Sequence, residues 1–423
     1  MSIRKAGGNW VDGDRFFDRK AELDALAERV RDGTHTLLTA QRRMGKTSLV
    51  RELLRRLKEQ GRFETVFVDL EAADTPADAI AEIAVQSRAV RGVWRRLKSW
   101  LANFRPAELE VGGRVDALGN PDLRVELRAG INSGTWQLKG DELFATLAAN
   151  DRPAVLAIDE LPILVNRMLK GHDYQITPER RKAVDRFLSW LRKNGQMHRG
   201  RISMILSGSV SLEPMLQQAG LSAHANIFLP FELKPWDENT AADCLGALAK
   251  YYGLEIPQPV RQGMCRRLRC QIPHHVQAFF DTVHEHQRRA QRSIATLEDI
   301  ERVYVSDMLG VRGQVDLEHY ESRLRMVLGT TGYRIALELL TEAAVSGGVL
   351  HDNAIDQYCE YLGAGTEDPE SGLVTIEQVL HVLEHDGYLG RQGGGYRFVS
   401  GLLEDWWLAR HGQRFVPIGQ REF

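Results

Sequence analysis

Gly45, Lys46 and Thr47 follow one another in the stretch TLLTAQRRMGKTSLVRELL, residues 36–54. A chain of phosphates asks for backbone N–H groups turned inward at a helix N-terminus, one ammonium group, and a hydroxyl able to hold magnesium. Lys46 offers the ammonium, Thr47 the hydroxyl, and Gly45 an approach unobstructed by a Cβ. Ala40 stands where such loops often begin with glycine. That position only has to leave the preceding strand, which a small residue does at negative φ. The phosphate-facing segment is therefore Ala40, Gln41, Arg42, Arg43, Met44, Gly45, Lys46, Thr47 and Ser48, with a basic middle whose partner, phosphate or solvent, the sequence leaves open.

A lone GKT is a weak signal and needs a partner. PAVLAIDELPIL, residues 153–164, provides one, because an apolar run ends in the adjacent acids Asp159 and Glu160. An aspartate at a strand end, with the Thr47 hydroxyl, can hold Mg²⁺, and a glutamate beside it can orient or deprotonate a water molecule. A third run, RISMILSGS at 201–209, ends in polar residues, and Ser207 is placed to sense a terminal phosphate. Lys46, Asp159, Glu160 and Ser207 are thus the candidate catalytic residues.

These residues need a sheet edge to bring them together. Residues 36–39 read as a short strand, and from Lys46 the period changes: Leu49, Val50, Leu53, Leu54 and Leu57 line one helical stripe. FETVFVDL at 63–70 adds a further strand, and helical segments separate the strands. That alternation predicts an α/β fold with a mostly parallel sheet, in which ligands bind at the carboxyl edge.

With these motifs the chain resembles the bacterial and archaeal predicted ATPases of the AAA+/STAND branch of P-loop NTPases, the archaeal-type ATPase family. FFDRKAELDAL at 16–26 is similar to the family's lead-in that flanks adenine, here carried by Phe17, Arg19, Glu22 and Leu23. LSGSVSLEPML resembles the sensor strand and its following helix, and residues 229–254 resemble the passage into a helical lid. CQIPHHVQAFF at 270–280 is similar to a Gly-x-Pro turn near base and phosphates. Gln271 replaces the glycine, so Pro273 alone carries over, with His274 beside it. The resemblance implies a P-loop core over 1–233, a helical lid over 234–325 and a winged-helix domain over 326–423. It also implies ATP and ADP as ligands, Mg²⁺ dependence, and slow hydrolysis coupled to a conformational switch, with a protein partner or self-assembly. No arginine finger stands out among Arg167, Arg192 and Arg201.

Asp159 lies 113 residues beyond Lys46, too far for one or two strand–helix units, so an insert at about 88–138 is expected. Its first part, RAVRGVWRRLKSWLANFR at 88–105, reads as a basic amphipathic helix. It suits an anionic membrane, nucleic-acid phosphates or an acidic partner, or simply packs by its aromatic stripe. Residues 106–138 alternate as a β-hairpin does. Near the C-terminus, 333–410 read as three helices and a glycine-turned wing. The would-be recognition helix at 375–386 carries Glu377, Glu384 and Asp386 and no lysine or arginine, which favours protein docking or autoinhibition over DNA reading. An ATP-dependent nucleic-acid-binding regulator that uses the insert is the alternative, and a degenerate scaffold is the weakest reading.

Bulk properties agree with an ordinary cytoplasmic protein. Lysine and arginine number 55 against 57 aspartates and glutamates, so no global charge attracts nucleic acid. No segment has the length and apolarity of a membrane span. Four cysteines are too sparse for a disulfide framework, and the step from Cys265 to Cys270 fits no usual zinc-ligand pair.

Overall fold

A computed structural model describes residues 3–90, 131–210, 212–363 and 375–421. The basic segment expected at 88–105 and the alternating segment at 106–138 fall for the most part outside these residues. The chain divides into two compact units, each discontinuous in sequence. One comprises Arg19–Thr39 and Lys46–Glu232; the other comprises Met1–Asp18, Ala40–Gly45 and Leu233–Phe423.

The first unit is built on a five-stranded sheet. Its strands are β1 (Thr36–Thr39), β2 (Glu64–Asp69), β3 (Ala154–Asp159), β4 (Ile202–Ser207) and β5 (Leu229–Glu232), in the order β2-β3-β4-β1-β5. Every pairing is parallel. The central strands β3 and β4 are buried along their whole length, as parallel strands covered on both faces must be. β5 is an edge strand, and Arg29 closes part of that edge by donating to the carbonyls of Leu229 at 3.2 Å and Pro230 at 3.1 Å.

Helices cover the sheet: α1 (Lys20–Arg31), α2 (Lys46–Glu59), α3 (Pro76–Ser87), α4 (Trp136–Ala148), α5 (Leu161–Lys170), α6 (Pro178–Met197) and α7 (Leu212–Gln218). α2 buries Leu49, Val50, Leu53, Leu54 and Leu57, the stripe its sequence predicts. Its Glu52 is also buried, and pairs with Arg55 and Arg56 at 2.8 and 2.7 Å one turn on. α3 starts at a reciprocal Thr75–Asp78 capping box with Pro76 in the first turn. Trp136, Phe144, Phe187 and Trp190 join α4 to α6 through edge-on and stacked ring contacts.

The second unit is largely helical. α8 (Glu238–Tyr252), α9 (Gln258–Leu268), α10 (Pro273–Arg289) and α11 (Leu297–Val303) precede a long helical segment, α12 (Val311–Val345), which breaks at Gly329, where φ is +68°. Then follow β6 (Val349–His351), α13 (Asp352–Gly363), α14 (Ile376–His385), β7 (Leu389–Gln392), β8 (Gly395–Phe398) and α15 (Gly401–His411). The three strands form an antiparallel sheet in the order β6-β8-β7. Trp406 and Trp407 on α15 are almost wholly buried, and Trp407 Nε1 donates to Thr341 Oγ1 of α12 at 3.1 Å. Arg267 Nη1 and Tyr304 Oη reach Asp405 at 3.4 and 2.8 Å, which binds the α9–α11 helices to α15.

Candidate functional site

Three neighbouring strands of the first unit end at one edge. Leu38 of β1 lies opposite Ser207 of β4, and Ile158 of β3 opposite Leu206, so the last residues of β3 and β4 emerge side by side. Lys46 opens α2 and is only 8% exposed. Next to it, Thr47 Oγ1 donates to Asp159 Oδ2 at 2.7 Å. Ser207 Oγ donates to Asp159 Oδ1 at 2.7 Å, and the Glu160 amide reaches the same oxygen at 3.1 Å. Asp159 is thereby buried and held by three donors from three segments.

Glu160 takes a left-handed backbone conformation, φ +58° and ψ +26°, at the start of α5. Its Oε2 accepts hydrogen bonds from the Ser209 amide and the Ser209 hydroxyl, both at 2.9 Å. No sequence motif singles out Ser209. The SGS repeat held its signal, but only the lateral placement of β4 beside β3 gives it meaning. No sequence motif singles out Asp69 either; it pairs with Asp159 in the β2–β3 register. Asp69 keeps an exposed side, yet burial of its carboxyl raises its pKa; the Glu71 amide at 2.8 Å opposes the rise and the Asp159 charge adds to it.

The loop Ala40–Gly45 groups with the second unit. Arg43 and Gly45 have φ of +68° and +87°, the alternation of backbone hands that turns successive amides to one side. A methyl group built on Gly45 would meet no heavy atom within 4 Å, so glycine is required there by backbone conformation rather than by crowding within the protein. Met44 is buried, and the Gln41 Nε2 donates to the carbonyl of Gly387. Gly387, at φ +75°, has no room for a side chain: a Cβ there would come within 2.5 Å of Gln41 Cγ and Cδ.

Burial lowers the pKa of Arg42, and the charges of Arg323 and Arg43 add to that effect. Pro273 begins α10, and the next amide, that of His274, donates to the Arg43 carbonyl at 3.4 Å. His275 Nε2 and Tyr320 Oη are 3.4 Å apart, while Tyr388 Oη donates to the Tyr320 carbonyl at 2.8 Å. Residues 273–275, 320 and 387–388 thus connect in a chain that ends on the loop at both sides.

The remaining expected residues lie as follows. Phe17 meets Trp236 edge-on, ring centroids 5.8 Å apart. Arg19 is buried in a left-handed conformation before α1 and pairs with Glu22 at 2.8 Å. Ala40 and Ser48 are half-buried at either end of the segment. Of the three arginines, Arg167 donates to the Glu71 and Ala73 carbonyls and Arg201 to those of Ala148 and Asn150, whereas Arg192 is exposed on α6. The adjacent Thr47 hydroxyl and Asp159 carboxylate form an all-oxygen pair, the donor type that magnesium prefers. Among the described residues no group of three or more His, Cys, Asp or Glu gathers as a metal cluster, and no helix is long and apolar enough to cross a membrane.

Residues 29–216 match the family model of the AAA domain. The fold is similar to that of a Walker-type ATPase of Pyrococcus abyssi, with TM-score 0.55 and 17% identity, over 94% of this chain and 97% of that one. It is also similar to the ORC2 protein of Aeropyrum pernix, solved as ADPNP and ADP complexes, with TM-score 0.54 and 12% identity, over 95% and 94% of the two chains. No curated protein sequence matches this one. The parallel sheet, its strand order and the AAA domain match make the core a P-loop NTPase fold of the AAA+ type.

Proposed function

We propose that this AAA-domain protein is a cytoplasmic ATPase switch, binding ATP with Mg²⁺ and coupling its hydrolysis to the position of a C-terminal winged-helix domain. The observation that carries the reading is the convergence of Thr47, Ser207 and the Glu160 amide on Asp159, directly beside the buried Lys46. In this reading the loop amides and Lys46 hold the β- and γ-phosphates, and Thr47 and Asp159 hold Mg²⁺, which would neutralise charge developing on the phosphate oxygens. Glu160 orients a water molecule. As the water oxygen bonds to the γ-phosphorus, the bond to the ADP oxygen breaks and the water's proton passes to the Glu160 carboxylate. Ser207 reports the presence of the γ-phosphate through Asp159.

The domain division follows the same reading: a P-loop core over 1–233, a lid over 234–325 and a winged-helix domain over 326–423, with Pro273 contributing to the nucleotide side. Phe17 and Arg19 serve the adenine side. Coupling is supported by the contacts of loop residues Gln41 and Arg43 with Gly387 and His274. A partner or a second copy of the chain completes the switch.

The test is nucleotide binding and turnover in two variants. Lys46→Ala is expected to lose ATP binding. Glu160→Gln is expected to bind ATP with turnover lowered about 100-fold or more, the usual contribution of a positioned acid or base. Parental ATP binding in Lys46→Ala would overturn the assignment.

A further inference from the structure

The water-orienting acid is held by a residue that no motif of the loop or of its own strand supplies. Both donors of Ser209, the backbone amide and the hydroxyl, lie 2.9 Å from one oxygen of Glu160. An amide is fixed by the backbone, and a hydroxyl rotates to its acceptor. Together they fix the position of that oxygen, one of the two on the carboxylate. The left-handed backbone at Glu160 fixes where that side chain begins. The two neighbouring acids at the end of β3 are therefore each tied to a serine at the end of β4 or just past it: Asp159 to Ser207, and Glu160 to Ser209.

We propose that Ser209 is a positioning residue for hydrolysis, fixing the Glu160 carboxylate in the orientation from which it receives the water's proton. The proposal rests on the reading of Glu160 given above. A carboxylate that meets water only in the transition state gains from being placed beforehand, since misplacement by an ångström costs rate without costing substrate affinity. The role thus separates turnover from binding. Removing the hydroxyl leaves the Ser209 amide bond in place, so the carboxylate stays near its position but is held less firmly from the β4 side.

The experiment compares the parent with Ser209→Ala, Ser209→Thr and Glu160→Gln, measuring single-turnover ATP hydrolysis and the affinity for a non-hydrolysable ATP analogue. Ser209→Ala is expected to hydrolyse on the order of 10-fold more slowly, with analogue affinity within about twofold of the parent. Ser209→Thr, which restores a hydroxyl, is expected to recover most of the rate. Parental or faster hydrolysis in Ser209→Ala, with Glu160→Gln slow, overturns the role of Ser209 alone. Parallel losses of analogue affinity and rate overturn it as well, marking Ser209 as structural. A parental rate in Glu160→Gln removes the role of Glu160, and that of Ser209 with it.

Discussion

Thr47→Ala tests the geometry of the site before any chemistry occurs. The Thr47 hydroxyl is one of three donors on the buried Asp159 carboxylate, 2.7 Å away. A hydrogen bond to a charged group is worth about 1.5–3 kcal/mol, and the variant loses it without losing the Ser207 or Glu160 donors. For a unit of this size, each kcal/mol moves the thermal midpoint by roughly 2–4 °C, so the expected drop is about 3–12 °C. Thermal melting followed by intrinsic fluorescence reads that shift directly, and Thr47→Ser, which keeps the hydroxyl, is expected to stay near the parent. A second arm adds a non-hydrolysable ATP analogue with and without Mg²⁺. The parent is expected to gain stability from the analogue and more from the metal, and Thr47→Ala to keep the first gain, assigned to Lys46, and lose most of the second. An unchanged midpoint without ligand would refute the hydrogen-bond argument. A full magnesium-dependent gain in Thr47→Ala would refute the metal assignment.

Gly387→Ala is expected to weaken ATP binding from a position that touches no nucleotide. Its φ of +75° imposes a strain of about 1–2 kcal/mol on any side chain. The added methyl also collides with Gln41 at 2.5 Å, and transmission of that strain to the loop weakens affinity by about 5- to 30-fold. Adding Gln41→Ala removes the colliding atoms and is expected to recover part of the loss by isothermal titration; equal affinity in the parent and both variants would rule the contact out as a coupling element. Lys170 gives a pH-dependent expectation. Burial pushes its pKa down to about 8 from 10.5, with Gln218 Oε1 3.1 Å away. The folded state therefore resists charging this amine. The penalty is absent above pH 10.5, grows as pH falls toward 8, and is complete below 8. Lys170→Met is expected to stabilise the protein by about 2–3 kcal/mol at pH 7 and by little near pH 10.5, as measured by denaturant unfolding. A gain that does not vary with pH would contradict the burial argument.

The elements that carry the site were legible because each has its own period. The α2 stripe from Leu49 to Leu57 and the apolar runs of β3 and β4 follow from burial on one face of a helix and both faces of a parallel sheet. Pro273 at the start of α10 was equally readable, since proline fits the first turn of a helix. Strand order was not, because β3 lies between β2 and β4 through pairings that no local pattern encodes. The same limit explains the site. Lys46, Thr47, Asp159 and Ser207 announce themselves by motif, whereas Ser209 and Asp69 acquire partners only when neighbouring strands come into register.

The basic middle of the loop is where sequence and structure diverge most in meaning. Read alone, Arg42 and Arg43 are two charges that serve either phosphate or solvent. In the fold, Arg42 is partly withdrawn from water and shares its surroundings with Arg323, and burial together with that like charge opposes its ionised form. Such a placement costs free energy, which a loop meant only to bind phosphate would avoid by leaving both arginines in solvent. The Arg43 carbonyl is meanwhile taken by the His274 amide, and the Gln41 amide by the Gly387 carbonyl. Two loop residues are thus hydrogen-bonded to distant segments: Gln41 to Gly387 in the turn before β7, 346 residues on, and Arg43 to His274 in the first turn of α10. These bonds tie the shape of the loop to the start of α10 and to the turn before β7. In the proposed switch, Gln41 and Arg43 are the loop residues that would relay phosphate occupancy to the C-terminal elements, beside the sensing assigned to Ser207 at the strand ends.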